Sequence, residues 1–403
     1  MTVETIDTLV VGAGQAGIAL SEHLGLNAVP HLILEKNRIA ESWRTGRWDG
    51  LMTNGPVWHD RFPNLEFNGD HPDQFVSKDR VAEYISEYAD MVAAPVRTGV
   101  EVFEAVPLPD RAGFRVETSA GVIEDAGLTQ LHSYHYRYPD QLPDGAVMIV
   151  GAGSSGAQIA DELNREGRKV FLSVGPHDRP PRRYRGRDFV WWLGVLGLWD
   201  LAAQKPGTEH VTISVSGAYG GRTMDFRRLA QEGVTLLGRT ESYAEGVLSV
   251  ANDLQQNIAG GDANYLGMLD AADAYAARMG LDLPEEPEAR EMWPDPACLT
   301  KPVRAVDLAA EGISTVLWAT GYRQDFSWLK VDAFDDTGAP LHQRGVSVEP
   351  GVYFLGLPWQ SRRGSTFLWG VWHDAKLVDA QIAIQRAYQQ YDGEAAIVRP
   401  AAE

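Results

Sequence analysis

The chain has 403 residues, long enough for two domains with separate cores, and its 44% hydrophobic and 23% charged content is that of a globular protein. A formal net charge of −19 argues against a nucleic-acid partner and against docking on an anionic membrane, since both need a basic face. The single cysteine, Cys298, leaves no disulfide framework and no redox-active pair.

Met1 to Thr5 leads straight into an apolar strand with no basic segment or cleavage site before it, so a cytoplasmic protein is expected. Ile6 to Val11 reads as a strand buried on both faces of a parallel sheet. It runs into Gly12-Ala13-Gly14-Gln15-Ala16-Gly17, then a helix from Ile18 to Leu26, then a strand from His31 to Leu34 that ends at Glu35. Strand, glycine turn, helix, strand and acidic end form the βαβ fingerprint of a dinucleotide site. Gly12 permits the tight turn, Gly14 lets the backbone approach a pyrophosphate, and Gly17 lets the helix pack close with its N-terminus facing the phosphates. Glu35 is placed to accept both ribose hydroxyl protons.

Asp140 to Gly145 reads as a linker, and beyond it the unit recurs. Ala146 to Val150 is a strand, Gly151-Ala152-Gly153-Ser154-Ser155-Gly156 the turn, Ala157 to Asn164 a helix and Lys169 to Val174 the next strand. Ser173 stands where an acid is expected, and Arg179, Arg182 and Arg183 follow. A carboxylate would repel a 2′-phosphate, whereas serine and arginine accommodate one, so the second site reads as an NADPH site. The other reading of these arginines is a solvated cluster.

The apolar run Phe189 to Leu198 is too short to span a bilayer and reads as a helix buried against the active-site tunnel, with a membrane-surface helix as the alternative. Asp262 to Met279 reads as a helix, and Leu283 to Pro296 as a proline- and acid-rich loop. Thr315 to Gly321 is a buried strand ending in a glycine turn, Val352 to Leu357 a further strand, and Asp374 to Gln385 an amphipathic helix. His132 and His135 have no acidic or cysteine companions, so no metal site is expected.

With both glycine motifs, Ser42-Trp43-Arg44, Thr53-Asn54, His132-Ser133 with Tyr136, and Ala319-Thr320-Gly321-Tyr322, the sequence resembles the flavin-containing monooxygenases over nearly its whole length. More narrowly it resembles the bacterial FAD-dependent oxidoreductases named for potassium transport. The fold this implies is α/β with two Rossmann-like dinucleotide-binding domains. An NADPH domain, residues 140–314, is inserted into an FAD domain formed by 1–139 and 315–403. The resemblance implies that FAD lies on Gly12, Gly14, Gln15, Ala16, Gly17, Glu35 and Lys36, with Arg44, Thr53, Val102, Thr320 and Gly321 adding contacts. It implies NADPH on Gly151, Gly153, Ser154, Ser155, Gly156, Gln158, Ser173, Arg182 and Arg183. Trp43 and Trp48 fall near the flavin, and Asn54 beside the isoalloxazine and the nicotinamide. The segment from Pro358 to His373 covers the flavin, with Trp369 and Trp372 either lining the substrate path or serving as core.

The implied reaction is an oxygenation. NADPH reduces FAD, the reduced flavin captures O2 at C4a, and the hydroperoxyflavin gives its distal oxygen to a small nitrogen or sulfur nucleophile. Asn54 suits the catalytic role because a neutral amide donates a hydrogen bond without supplying a proton; otherwise it is an ordinary turn residue before Gly55-Pro56. The expected partners are a small-molecule substrate and O2, with neither nucleic acid nor membrane, and a homodimer is compatible.

Two departures qualify the resemblance. In the signature F-x-G-x-x-x-H-x-x-x-F/Y, His132 and Tyr136 match the second half, while Ala126 and Leu128 stand where phenylalanine and glycine belong. Tyr136-Arg137 replaces the Trp-Pro of the Baeyer–Villiger variant, which favours nitrogen or sulfur oxygenation over a ketone substrate. The remaining rivals are an NADPH oxidase or reductase and a non-enzymatic flavin redox sensor. A disulfide reductase is disfavoured by the lone Cys298 and by the short tail after Gly321. The second departure is the jump from Gly121-Val122-Ile123-Glu124 to Gln130-Leu131-His132, where the family has another strand, an alanine-threonine-glycine turn and a linker. A buried sheet loses an interior strand only by orphaning backbone groups. The expectation is therefore a break in the chain between Glu124 and Leu131, the alternative being a natural deletion closed by a shorter connection.

Overall fold

The computed structural model describes residues 6–107, 114–118, 129–202, 213–322 and 324–390. The first unit contains β1 (Thr8–Val11), α1 (Gln15–Leu26), β2 (His31–Glu35), α2 (Lys78–Met91) and β3 (Val96–Thr98). β1 and β2 pair in parallel with Thr8 opposite His31 and Val11 opposite Leu34, and β2 pairs with β3 with Ile33 opposite Val96. The expected glycine unit is therefore present, with its helix starting at Gln15 inside the turn. α2 begins where Ser77 caps it, its side chain accepting from Arg80 N at 3.3 Å, and Val81, Tyr84, Ile85 and Tyr88 line its buried face at helical spacing. These residues pack with Ile18, Leu24 and Ile33, and with Val371 and Val378 of the C-terminal helix Leu368–Gln390. Glu22 is a buried carboxylate in this core. It accepts from Tyr88 Oη, from Trp372 Nε1 at 2.6 Å and from Asn64 Nδ2 at 2.5 Å, which ties α1, α2 and the C-terminal helix together.

The second unit contains β4 (Thr129–His132), β5 (Ala146–Val150), α3 (Ser154–Arg165), β6 (Val170–Ser173), β7 (Thr235–Leu237), α4 (Leu254–Met279) and β8 (Ile313–Trp318). Its sheet runs β7-β6-β5-β8-β4, and all four pairings are parallel. Every residue of β5 is buried, as expected for an aliphatic strand covered on both faces. Burial of Val147, Met148, Ile149 and Val150 contributes about 1.5–3 kcal/mol for each side chain. α4 begins eight residues before the expected Asp262 and ends at Gly280, whose φ of 62° supplies the left-handed cap. The helix Phe189–Val195 is buried through Phe189, Val190 and Leu193 against Trp199 and Val215. Among the described residues no helix is long and apolar enough to cross a membrane.

Two expectations need correction. The strand read at Thr315 to Gly321 as the return of the first domain is β8, and it hydrogen-bonds between β5 and β4. The second unit therefore extends beyond 140–314 on both sides, because β4 and β8 each complete its sheet. Val352 to Leu357 forms no strand: Tyr353 makes one isolated bridge to Val346, while Val352, Phe354 and Leu357 are buried in a cluster with Ala333, Phe326 and Phe334. An apolar run declares burial and does not name the neighbour. The expected chain break falls largely on residues 124–128, outside the described residues; Thr129, Gln130 and Leu131 lie in β4.

Candidate functional site

Both glycine turns are built to one plan. Gly12 and Gly151 have φ of +99° and +108°, which only glycine adopts without strain. A Cβ on Gly17 would meet Gly12 O at 2.1 Å, and one on Gly156 would meet Gly151 O at 1.8 Å, so the third glycine of each motif holds helix against turn. A Cβ on Gly14 would meet nothing within 4 Å. That open space lies at the N-terminus of α1, where unpaired N–H groups and the helix dipole favour a phosphate. The residues present fit a bound dinucleotide at this turn.

Around the first turn, Glu35 accepts from Ala13 N at 2.9 Å through Oε2 and from Asn37 N at 2.8 Å through Oε1. Its carboxylate is thus pinned at the end of β2 with lone pairs to spare. Val100 N donates to Glu35 O at 3.0 Å, and Lys36 pairs with Glu101 at 3.3 Å, so Val102 follows close beside the same strand end. Trp43 Nε1 donates to Gln15 Oε1 at 2.9 Å, and Gln15 Nε2 donates to Thr366 O at 2.9 Å. Gln15 therefore joins the turn to the 361–369 segment. Arg44 turns away, to Ser86 Oγ at 2.9 Å and Ile39 O at 3.2 Å, and braces the short helix Glu41–Arg44 against α2. Thr320 and Gly321 follow β8, and Gly321 O accepts from His132 Nε2 at 2.9 Å. Arg47 lies over the rings of both Trp43 and Tyr322, at 5.6 and 5.4 Å, which carries the contact from β8 to the first unit.

Asn54 is where the two units clasp. Its Oδ1 accepts from Gln158 Nε2 of α3 at 3.3 Å, and its backbone carbonyl accepts from Arg182 Nη1. Gln158 Nε2 also donates to Val215 O at 2.5 Å, so its own position is fixed. With Oδ1 occupied, the two Nδ2 protons of Asn54 have no partner among the described residues. The preceding Thr53 is buried, with Oγ1 accepting from Val76 N at 3.1 Å. Beside this clasp lies a cavity of about 550 Å³ lined by Trp48, Met52, Phe75, Gln158, Glu162, Arg183 and Ser216. Trp48 is buried in the second unit's core with Val147 and Ala157 as well as lining this cavity. Burial raises the Glu162 carboxyl above its ordinary range, and Tyr136 Oη donates to it at 2.9 Å.

The arginines read from sequence as phosphate partners divide. Arg182 is buried, paired with Asp188 at 2.5 Å and flanked by the rings of Phe75 and Phe189 at 4.6 and 4.5 Å. Burial acts against its charge and Asp188 offsets that, so it is a domain fastener. Ser173 is likewise committed: it donates to Gly238 O at 3.0 Å and accepts from Thr240 N at 3.0 Å. Arg179 pairs with Asp225 and Asp262, both at 3.0 Å. Arg183 alone of the predicted set keeps an exposed head with no partner among the described residues, and it lines the cavity. Ser154 Oγ donates to Ile213 O at 2.8 Å, which fixes the start of α3.

Sequence reasoning missed His59 and Asp60. His59 Nδ1 lies 2.7 Å from Asp60 Oδ1, with its ring 5.3 Å from Trp199 and 5.8 Å from Trp369. The adjacent Trp58-His59-Asp60 was the available signal, but it has no spacing rule to mark it. Of the predicted lid tryptophans, Trp369 joins this group, while Trp372 binds Glu22 in the core.

Residues 9–185 match the family model of the pyridine nucleotide-disulphide oxidoreductases. An oxidoreductase of Geobacillus kaustophilus designated CzcO-like is 31% identical over 398 residues, covering 92% of this chain and 96% of its own. The rice indole-3-pyruvate monooxygenase YUCCA1 is 25% identical over 393 residues, covering 88% of this chain and 84% of its own. In three dimensions the flavin-containing monooxygenase of Stenotrophomonas maltophilia superposes with a TM-score of 0.62 at 19% identity, over 96% of this chain and all of the other, a likeness of fold.

Proposed function

This chain belongs to the flavin monooxygenase family, among its CzcO-like oxidoreductases, and we propose that it uses FAD, NADPH and O2 to oxygenate a small nitrogen or sulfur nucleophile. FAD, when bound, supplies hydride acceptance and oxygen transfer. The chain's own residues supply placement. The Gly12–Gly17 turn and Glu35 hold FAD, the Gly151–Gly156 turn holds NADPH, and the 361–369 segment tied to Gln15 keeps water from the flavin.

The observation that carries the reading is the Asn54 clasp. Asn54, its side-chain oxygen held by Gln158 and its backbone carbonyl by Arg182 of the second unit, keeps its amide donors free among the described residues. A donor that cannot release a proton is what oxygen transfer needs and what plain reduction does not. A dithiol reductase has no support in this chain, because Cys298 is its one cysteine and burial pushes its thiol up. The test is product analysis with NADPH, O2 and either thioanisole or cyclohexanone. Sulfoxide formation supports the reading. Lactone without sulfoxide would replace it by the Baeyer–Villiger alternative, and NADPH consumption yielding only hydrogen peroxide would make the protein an oxidase.

A further inference from the structure

The oxygenation reading leaves the titratable pair His59–Asp60 unused. Asp60 is held at both oxygens: Oδ2 accepts from Gly55 N at 2.8 Å, and Oδ1 lies 2.7 Å from His59 Nδ1. With Nδ1 donating to a carboxylate, the imidazole is fixed in the tautomer whose Nε2 is a bare lone pair. That Nε2 has no hydrogen bond within the described residues, and it is not among the buried polar atoms. A histidine serving only the fold looks different here. His31 uses both nitrogens, Nδ1 with Val29 O at 2.9 Å and Nε2 with Ser21 Oγ at 2.7 Å.

The surroundings tie this base to the Asn54 loop and to the 361–369 segment. Its loop begins at Asn54, and its ring faces Trp369, three residues beyond the Thr366 carbonyl that Gln15 of the first turn holds. Trp199 stacks on it at an interplanar angle of 27°, Trp58 meets it edge-on at 5.5 Å, and Phe367 meets Trp199 at 4.7 Å. The neighbouring charges are already matched: Arg182 with Asp188, Arg362 with Asp200, Arg363 with Asp178 and Arg61 with Glu66. His373 stands behind Trp369 at 5.9 Å. Asp60, whose charge also acts on Arg182, is the carboxylate in direct contact with His59.

Indole rings gathered beside a carboxylate suit an organic cation. A protonated amine, however, has no lone pair to receive oxygen, while a sulfide needs no base. We propose, resting on the oxygenation reading, that the substrate is a small amine arriving as its ammonium ion and that His59 takes its proton before oxygen transfer. The N–H bond of the ammonium breaks and its electron pair stays on nitrogen. The proton bonds to Nε2, giving an imidazolium beside the Asp60 carboxylate. The same proton later leaves with the second oxygen atom. For a tertiary amine, ammonium, O2 and NADPH give N-oxide, water and NADP+; the ammonium proton and the NADPH hydride are the two hydrogens of the water. Asp60 is a positioning residue that fixes the tautomer.

The experiment uses the flavin-loaded enzyme with two probes of similar size, N,N-dimethylbenzylamine and thioanisole. In His59→Gln the ratio of kcat/KM for the amine to that for thioanisole should fall about a hundredfold, the scale of a general acid–base contribution. Nitrogen NMR of the histidine rings in the resting enzyme, without NADPH or substrate, should show His59 as the Nδ1–H tautomer, and Asp60→Asn should abolish that signature while flavin content is kept. An equal loss for both probes, an unchanged ratio, or an Nε2–H ring in the wild type overturns this proposal and leaves the oxygenation reading standing. A wild type that oxygenates neither probe overturns that reading and this proposal with it.

Discussion

The two glycine turns share a backbone plan and differ at the strand end that follows. β2 ends in Glu35, a carboxylate anchored by two N–H groups, one of them in the glycine turn. β6 ends in Ser173, whose hydroxyl is consumed by Gly238 and Thr240. The turn states that a dinucleotide binds; the strand end and the loops beyond it state which one. In the first unit that information sits in one residue of the fingerprint. In the second no residue of the fingerprint carries it, and we propose that Arg183, in the short strand Arg183–Tyr184, does so; sequence position alone does not separate it from the structural Arg179 and Arg182.

Substitutions within and between the turns sharpen this contrast. Gly17→Val should prevent folding, since its Cβ would meet Gly12 O at 2.1 Å, whereas Gly14→Val has open space and should fold. The second variant should purify without FAD, because the side chain fills the space of the pyrophosphate; flavin absorbance beside a thermal melt checks both. A yellow, fully loaded Gly14→Val protein would remove the first turn from the cofactor site. Arg182→Ala should cost about 3–5 kcal/mol of stability by leaving the half-buried Asp188 without its counter-charge, read by denaturant unfolding. Arg183→Ala should keep stability near wild type and weaken NADPH binding roughly ten- to hundredfold with NADH unaffected, the scale of a lost charge-assisted contact. The reverse pattern would return the phosphate to Arg182. Asn54→Ala should leave flavin reduction within about threefold and raise the share of NADPH oxidation that ends as hydrogen peroxide. Unchanged coupling would make Asn54 a turn residue held by Gln158.

The parts of the fold that were legible in the sequence are those whose residues carry a local rule. Gly12-x-Gly14 and Gly151-x-Gly153 demand a tight turn between strand and helix, and both turns are where the motif put them. The partner of a strand carries no such rule. Ile313–Trp318 is apolar enough for either sheet, and only the packed structure places it between β5 and β4. Val352, Phe354 and Leu357 are buried as their chemistry requires, in an aromatic cluster with no ladder. The same limit applied to charge: the sequence announced three arginines after β6, and the counter-ions of two of them, Asp188 for Arg182 and Asp225 and Asp262 for Arg179, come from a short strand, a helix cap and a helix. His59 and Asp60 stayed hidden because their function depends on Gly55 N and two distant tryptophans.

The central claim is that one atom of O2 enters the product. The most direct measurement is to run the reaction with NADPH, thioanisole and isotope-labelled O2 and to follow the label by mass spectrometry. The account predicts one labelled oxygen in the sulfoxide, with one NADPH consumed for each product formed. Label found only in hydrogen peroxide, with thioanisole recovered unchanged, would contradict it.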